Sequence, residues 1–438
     1  MRKIFNAVVT SVVLCGLASL ALAQTGSIAS KQLPSSYLKK FPPKTAHASD
    51  AIVSGGALKY AANGTKIASA TSGLPGVDSL ANWSDQFTAQ GFDFFGNPQS
   101  VWPYTMVGAP PQSGQTTTFR APIVPVTVDL LGPDGKVAVF HDHPLTFIAT
   151  SNIVKSVVGS PVYQPWIYTS GVGQFNDQMM RAEFADRIQG NDWHNILAPV
   201  VQTARRMQVP FGFWFFFTDA DHRPVAAAID ENAFVNLFFP ATVPVDSSTV
   251  IGAAEVAGDI TTKDISTFLF NNVYLYQGTI TNCCVLGFHT YDLEPGDNSN
   301  GNQERRYVLN YSSWLSDGFF AFGFEDVTPL SHEMSELFND PFVDNQTPWW
   351  ESVDPFLQSG ICQDNLETGD VIEVLTSNPV YPVPMGGRTF HPQNEAMFPW
   401  FAFESPSPAH LKAYSFPDET TLEALSPKNL PPGCVPKP

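Results

Sequence analysis

The chain has 438 residues, with 23 Lys and Arg against 41 Asp and Glu, which gives a formal net charge of −18 at pH 7. Hydrophobic residues make up 43% of the chain and charged residues only 15%, which excludes a disordered polypeptide and provides for a sizeable core. Because a strongly acidic protein repels the phosphate backbone, we expect no nucleic-acid partner.

Residues 1–23 have the three parts of a secretory signal peptide. Arg2 and Lys3 supply the positive start, an apolar run follows over residues 7–22, and small residues precede the expected cleavage point. We therefore expect cleavage near Ala23 and a secreted product, either extracellular or periplasmic. No later apolar run approaches the roughly 18 residues that a membrane helix needs, so we expect no membrane span.

Residues 24–115 are rich in Ala, Ser, Gly and Pro and contain few periodic apolar stretches. This composition predicts an irregular N-terminal extension, which could be a propeptide. Residues 116–438 are predicted to form the main domain, with possible sub-lobes over 116–250 and 251–438.

Several stretches of the main domain have the periodicity of regular elements. Residues 121–131 alternate as a strand does, and residues 174–188 carry apolar side chains at helical spacing. The unbroken apolar run 211–217 is typical of a strand buried on both faces, with a hairpin partner after it. Further strands are predicted over 267–276, 285–291 and 306–311. These elements indicate an α+β fold with a mixed, aromatic-rich sheet.

Four cysteines remain after the predicted cleavage: Cys283, Cys284, Cys362 and Cys434. An even number of cysteines in an exported protein suggests disulfides. Adjacent cysteines rarely bond each other without strain, so Cys283 and Cys284 are expected to take separate partners, in an order that the sequence leaves open. A four-cysteine metal cluster is the alternative, although no Cys-x-x-Cys spacing supports it.

A short helix is predicted between Asp326 and Pro341. Thr328 followed by Pro329 is typical of a helix start, and Asn-Asp-Pro at 339–341 is typical of a helix end. Apolar residues gather on one side of this helix, which would dock it on a core and hold its opposite side still.

The opposite side of the predicted helix carries His332 and Glu336, one turn apart, with Glu333 at the border. An imidazole and a carboxylate at this spacing can reach one cation, and Glu333 could act on water bound to that cation. The common zinc-hydrolase helix has a second His where Glu336 stands, and a carboxylate there could also admit manganese or calcium. The alternative is a solvated polar face that binds nothing.

A catalytic zinc needs a third protein ligand, which an acid shortly after the helix could supply. The candidates are Glu351, Glu367 and Asp370, with Asp340 at the helix end as a further ligand or supporting group. Since Glu367 and Asp370 flank Gly369, one could bind metal while the other supports His332 through its free ring nitrogen. Arg388, His391 and His289 are candidates for transition-state or substrate contacts.

The motif Ser331-His-Glu-x-x-Glu, followed by Asn-Asp-Pro, Trp349-Trp350-Glu351 and Glu367-x-Gly-Asp370, resembles a family of exported bacterial zinc metalloproteases. The resemblance covers roughly residues 120–400. The chain departs from the family pattern at Asn339, at Glu351 and in the position of Cys362. More distantly, the helix, the Asp-Pro step and Gly387-Arg388 resemble the plant exordium proteins, which are secreted cell-wall growth factors.

The metalloprotease resemblance implies a zincin-like catalytic domain. It implies metal ligation by His332, Glu336 and Glu367, with Glu333 as general base in the hydrolysis of peptide or protein substrates. Zinc is the expected cofactor, with manganese or calcium as alternatives. The exordium resemblance implies instead a non-enzymatic β-rich binding protein with a structural metal ion. A third hypothesis is a carboxyl peptidase that uses paired acids at low pH.

Overall fold

The computed structural model describes residues 77–93, 97–240, 247–320, 323–351, 362–372 and 379–424, with only the backbone of Asn282, Glu351 and Cys362. The predicted signal peptide and Cys434 lie outside these ranges. Strands and helices both contribute to the structure, which confirms the α+β class.

Seven α-helices are present in the described part of the chain: α1 (Ser151–Val158), α2 (Phe175–Glu183), α3 (Ala185–Ile188), α4 (Glu231–Phe238), α5 (Val250–Val256), α6 (Thr328–Asn339) and α7 (Phe398–Phe401). The first twelve strands are β1 (Val77–Asp78), β2 (Asn82–Phe92), β3 (Pro98–Val107), β4 (Thr116–Leu130), β5 (Val139–Phe140), β6 (His143–Pro144), β7 (Thr146–Ile148), β8 (Trp166–Tyr168), β9 (Gly171–Gly173), β10 (His194–Val201), β11 (Arg205–Val209) and β12 (Trp214–Thr218). The remaining strands are β13 (Pro224–Asp230), β14 (Ser266–Asn271), β15 (Val273–Tyr276), β16 (Cys283–Val285), β17 (Gly287–Glu294), β18 (Glu304–Trp314), β19 (Gln346–Glu351), β20 (Cys362–Asn365), β21 (Val383–Met385), β22 (Arg388–Phe390), β23 (Glu395–Ala396) and β24 (Ser415–Phe416).

The main sheet is mixed and has eight strands, with β1, β18, β14, β4 and β10 in order across it. The long strand β4 also pairs with β7 and β11, and β17 pairs antiparallel with β18. A second sheet has the order β12, β13, β15 and β16, and its first two strands form the hairpin predicted after residue 211. The predicted run 211–217 begins its strand only at Trp214.

Apolar clusters cover both faces of the main sheet. One cluster joins α6 to the β2–β3 hairpin and to aromatic side chains near the C-terminus. The other cluster packs α4, α5 and the second sheet against the opposite face. Since β17 and β18 alternate between the two clusters, a residue on β17 faces α6 only at every second position.

The predicted irregular extension is wrong over residues 77–107. There the chain forms β1 and the β2–β3 hairpin, which buries Trp83 and Trp102 in the same core as α6. The backbone N–H of Thr105 also donates to Asn345 Oδ1 at 2.7 Å, close to the end of α6. The predicted sub-lobes 116–250 and 251–438 are not separate either, because the main sheet takes β4 and β10 from the first range and β14 and β18 from the second.

Helix α6 lies at the centre of this arrangement. It packs on β17 and β18, and it also contacts β3 and α2. Asn176 on α2 donates through Nδ2 to Ser335 Oγ at 2.8 Å. Every residue of α6 is buried, so the alternative of a solvated polar face is wrong. None of the helices in the described ranges is both long and apolar enough to cross a membrane.

Candidate metal centre

The bounds of α6 agree closely with the prediction from sequence. The helix starts at Thr328, with Val327 rather than Thr328 as the capping residue, and Pro329 lies in its first turn. The Thr328 hydroxyl donates to the backbone oxygens of Glu325 and His391 instead. The helix ends at Asn339, as the Asn-Asp-Pro signal predicts. The local signals therefore place His332 and Glu336 on a rigid, buried element.

His332 and Glu336 face each other across one helical turn. Nε2 of His332 lies 3.1 Å from Oε1 of Glu336, and both side chains are buried. The backbone N–H of Gly369 donates to the same Glu336 oxygen at 3.1 Å. A Cβ at Gly369 would lie 2.4 Å from Nδ1 of His332, so only glycine fits against this ring. The Glu-x-Gly-Asp turn therefore packs directly against α6.

A second imidazole, that of His289 on β17, lies beside Glu336. Its Nδ1 lies 3.3 Å from Oε2 of Glu336, 3.7 Å from Oε2 of Glu333 and 3.9 Å from Oε2 of Glu367. The His289 side chain has no exposed surface. The sequence predicted His289 as a transition-state or substrate contact, whereas the structure places it in a group of residues that could hold a metal ion. The one available signal in the sequence was the position of His289 on the predicted strand 285–291.

Glu333 lies between the two imidazoles. Its Oε1 is 4.0 Å from Nε2 of His332, and its Oε2 is 3.7 Å from Nδ1 of His289. The backbone of β17 approaches this carboxylate closely, because a Cβ at Gly287 would lie 2.7 Å from Glu333 Oε1. Glu333 therefore borders both histidines, as a general base beside a metal would.

Glu367 and Asp370 come from the turn that follows β20, and neighbouring amides orient both. Asn365 donates through Nδ2 to Glu367 Oε1, and Gln363 donates through Nε2 to Asp370 Oδ2 at 3.0 Å. Asp370 Oδ1 lies 3.6 Å from His332 Nε2. Asp370 therefore faces the same ring nitrogen as Glu336 and does not support His332 from the other side of the ring, as one reading of the sequence had it. This makes Asp370 a potential ligand.

Glu395 on β23 is an acid that the sequence analysis did not select. Its carboxylate is fully buried, and neither oxygen has a hydrogen-bond partner among the described residues. Electrostatic interactions join it to His332, Glu336, Glu333 and Asp370. The only sequence signal was a charged residue in the mainly apolar stretch 395–402.

The buried carboxylates perturb one another and the imidazoles. Burial alone would lower the pKa of His332, but Glu336 and Glu333 outweigh it and raise that pKa well above its usual value. Burial and Glu336 raise the pKa of Glu367 well above its usual value, and they raise that of Asp370 to about 8. For Glu336, burial is outweighed by His332 and His289, which lower the pKa of that carboxyl. Ionisation of so many acids in one buried place is therefore unfavourable unless a cation lies among them.

The donor set fits a divalent metal. Buried polar atoms without a hydrogen-bond partner among the described residues converge here from three elements: Nε2 of His332, Nδ1 of His289, and one Oε2 each of Glu333, Glu336 and Glu367. Two sets of three donors each lie within 4.8 Å of one another: His332, Glu333 and Glu336, and then His289, Glu336 and Glu367. The ligand set implied by the resemblance, His332 with Glu336 and Glu367, is thus divided between two groups that share Glu336.

Arg388 and His391 both bind Asp326, immediately before α6. His391 Nδ1 lies 3.0 Å from Asp326 Oδ2, and the Arg388 guanidinium lies 3.8 Å from the same oxygen. Arg388 also donates to Ser156 Oγ at 3.1 Å. Among the described residues, neither side chain forms an ion pair with Glu333, Glu336 or Glu367. Their contacts with Asp326 therefore give both a role in holding the start of α6.

The other predicted site residues lie nearby or outside the described part. Asp340 accepts hydrogen bonds from the backbone N–H groups of Asp344 and Asn345 and shapes the loop after α6. The side chains of Glu351 and Cys362 and all of Cys434 lie outside the described residues. The sulfur atoms of Cys283 and Cys284 lie in contact with each other. Their predicted bonds to Cys362 and Cys434 stay predictions.

A third acidic group lies on the opposite face of β17. Asp292 and Glu294 alternate with His289 along the strand and lie beside Glu255 of α5, with ligand atoms within 4.8 Å of one another. Burial and the other acids raise the pKa of Glu294 to about 7 and that of Glu255 to about 10. This group contains no imidazole and shares no residue with the candidate centre.

Compared with family models, with curated proteins and with solved structures, the chain matches none of them.

Proposed function

We propose that this protein is a secreted, metal-dependent peptidase with a zincin-like catalytic domain and with Glu333 as its general base. The observation that carries the proposal is the convergence of His332, Glu333 and Glu336 from α6 with His289 from β17. Each of these buried groups has a nitrogen or oxygen atom without a hydrogen-bond partner among the described residues, and such a convergence of imidazoles and carboxylates is typical of a metal site.

In this proposal His332 and Glu336 hold the metal, and His289, Glu367 and Asp370 complete the donor set. A bound divalent cation supplies Lewis acidity and makes nearby water more acidic. Glu333 accepts the proton from the attacking water and later gives it to the leaving amine. Gly369 fixes the His332 ring and binds Glu336, so the ligands are held in place before substrate arrives.

Zinc or manganese fits this donor set better than calcium. Calcium takes oxygen ligands only, whereas two imidazoles reach this site. The several carboxylates also suit manganese, which prefers harder ligands than zinc does. Peptide as the substrate class rests on the resemblance of the Ser331-His-Glu-x-x-Glu motif and of Glu367-x-Gly-Asp370 to the exported metalloproteases.

One observation favours a second candidate function, a non-enzymatic protein with a structural metal. The side chains of the candidate centre are almost fully buried: His332 is 4% exposed and Glu333 is 3% exposed. Structural metal sites are closed in this manner, whereas catalytic sites keep one position open. An exordium-like binding protein would need the metal only for stability.

The two functions separate in one experiment on the purified protein. Hydrolysis of an unfolded, fluorescently labelled protein is measured before chelation, after chelation and after zinc or manganese is returned. Activity that disappears and comes back with metal supports the peptidase. A melting temperature that falls without any hydrolysis under any condition supports the structural metal. Hydrolysis that survives chelation at low pH would indicate a carboxyl peptidase instead.

A further inference from the structure

The two carboxylate oxygens of Glu336 face two different imidazoles. Oε1 lies 3.1 Å from Nε2 of His332, and Oε2 lies 3.3 Å from Nδ1 of His289. A carboxylate that offers one oxygen to each of two nitrogen donors is in the position of a bridge between two ions. If only one ion were bound, one of the two Glu336 oxygens would interact with an imidazole and with no ion.

The donor atoms also divide into two groups. His332 and His289 belong to different groups within 4.8 Å, and Glu336 is the member that both groups share. Metal–ligand bonds of about 2.0–2.2 Å place any two donors of one ion no more than about 4.4 Å apart. The division of the imidazoles therefore favours one ion in each group.

The charge of the site points the same way. Five buried carboxylates, those of Glu333, Glu336, Glu367, Asp370 and Glu395, carry five negative charges when ionised. In the described part of the chain, they form ion pairs with His289 and His332. One divalent ion would leave three of these charges uncompensated in a buried place, which is costly, whereas two ions leave one.

From these three observations we propose that the candidate centre binds two divalent cations bridged by Glu336. This inference rests on the proposed function for the presence of metal at α6, and it adds the number of ions and their ligands. The first ion takes His332 and Glu336, whose facing atoms lie 3.1 Å apart, and Asp370 Oδ1 lies beside them, 3.6 Å from His332 Nε2. The second ion takes His289, Glu336 and Glu367.

Glu333 has a defined place in such a centre. Its two oxygens lie toward the two histidines, at 4.0 Å and 3.7 Å, so it borders both ions at once. Paired ions about 3.5–4 Å apart can stabilise both the attacking and the leaving groups of a hydrolysis. Glu333 is then in reach of a water between the ions and can take its proton.

The test counts the ions directly. Metal-free protein is titrated with Mn²⁺, and the bound metal is measured by elemental analysis and by electron paramagnetic resonance. The wild type is expected to bind two Mn²⁺ per chain with an exchange-coupled spectrum. His289→Gln and His332→Gln are each expected to bind one ion tightly, with the spectrum of isolated Mn²⁺. His194→Gln is the matched control, because His194 pairs with Asp177 outside the centre and its loss should leave two ions.

Other outcomes would overturn the inference in distinguishable ways. One ion per wild-type chain, lost in both histidine variants, shows a single shared ion and leaves the peptidase proposal standing. Hydrolysis by wild-type protein that binds no metal removes the peptidase proposal as well. If His289→Gln does not fold, Glu367→Gln removes one carboxylate of the second group. Two ions bound tightly by a folded Glu367→Gln variant would contradict the assignment of that group.

Discussion

Gly369 lies directly against the imidazole of His332, where a Cβ would be only 2.4 Å from Nδ1 and 2.5 Å from Cε1. We expect Gly369→Ala to push the ring away from Glu336 and to weaken metal binding by about 10- to 100-fold, as loss of a supporting contact to a ligand does. Isothermal titration with Zn²⁺ measures this change. Gly159→Ala is the control, because a Cβ there meets only backbone oxygens of α1. Equal affinities for both variants would contradict the prediction.

In the proposed function Glu333 is the general base, so its carboxylate should matter for rate more than for binding. We expect Glu333→Gln to retain its metal and to lose about a hundredfold or more in kcat. Elemental analysis and a peptide-hydrolysis assay on the same sample test both parts. Glu304→Gln, which changes an exposed partner of Arg306, should keep full activity. Unchanged hydrolysis by the Glu333 variant would remove this residue as the base.

Metal removal should destabilise the folded protein. A ligand that binds only the folded state adds about 2.7 kcal/mol at a hundred times its Kd, which corresponds to several degrees in melting temperature. We therefore expect chelation to lower the Tm and zinc to restore it, as followed by calorimetry. His332→Ala should show a smaller change in both steps than the wild type, since it has lost a ligand of one of the two proposed ions. A Tm that is insensitive to chelator in the wild type would argue against a bound metal.

Glu183 on α2 gives the stability a pH dependence that is independent of metal. Burial raises the pKa of this carboxyl from 4.5 to about 8, while its Oε2 accepts a hydrogen bond from Phe398 N at 2.8 Å. At a pH between these two pKa values, Glu183 has lost its proton in the unfolded chain but keeps it in the folded protein. The free energy of unfolding therefore falls as the pH rises through this window. Glu183→Gln cannot ionise and still offers an acceptor. We expect its Tm, relative to wild type, to be higher at pH 8 than at pH 5. The same difference at both pH values would contradict the assignment.

Arg388 should act on stability and not on metal. Its guanidinium lies 4.8 Å from the centroid of the Trp314 ring and donates to Ser156 Oγ. We expect Arg388→Ala to lower the free energy of unfolding by about 1–3 kcal/mol and to leave the metal content unchanged. Denaturant titration and elemental analysis check the two statements. Arg223→Ala, in an exposed turn, should have a much smaller effect. Loss of metal from the Arg388 variant would indicate that Arg388 contributes to metal binding after all.

Local signals in the sequence were enough to find α6 and its His332 and Glu336. Proline near the start and Asn-Asp-Pro at the end act within one turn of the chain, so they predict the helix without knowledge of the rest. His289 could not be assigned as a ligand in the same way. Its role depends on the register between β17 and β18 and on which face of the sheet α6 covers, and both are properties of the folded chain.

The N-terminal β2–β3 hairpin is a part of the fold that the sequence likewise did not predict. Pro98 begins β3 and Pro103 lies within it, and the chain between Trp83 and Trp102 mixes polar and aromatic residues, so no simple period predicted the hairpin. Trp83 packs edge-to-face on Phe184, the residue that follows α2 and lies far along the chain, and Trp102 is buried in the same cluster. Glu395 was missed for a related reason, since only its burial beside His332 distinguishes it from other acids.

The donors of the candidate centre come from β17, α6, the turn after β20 and β23, which span residues 289 to 395. The chain between them must close several long loops before the donors meet, and such distant contacts form late and slowly. An unfolded or newly made chain therefore has no preformed place for the ions. Metal binding would then be the last step of folding. The metal-bound protein should unfold more slowly than the metal-free form and resist proteolysis for longer.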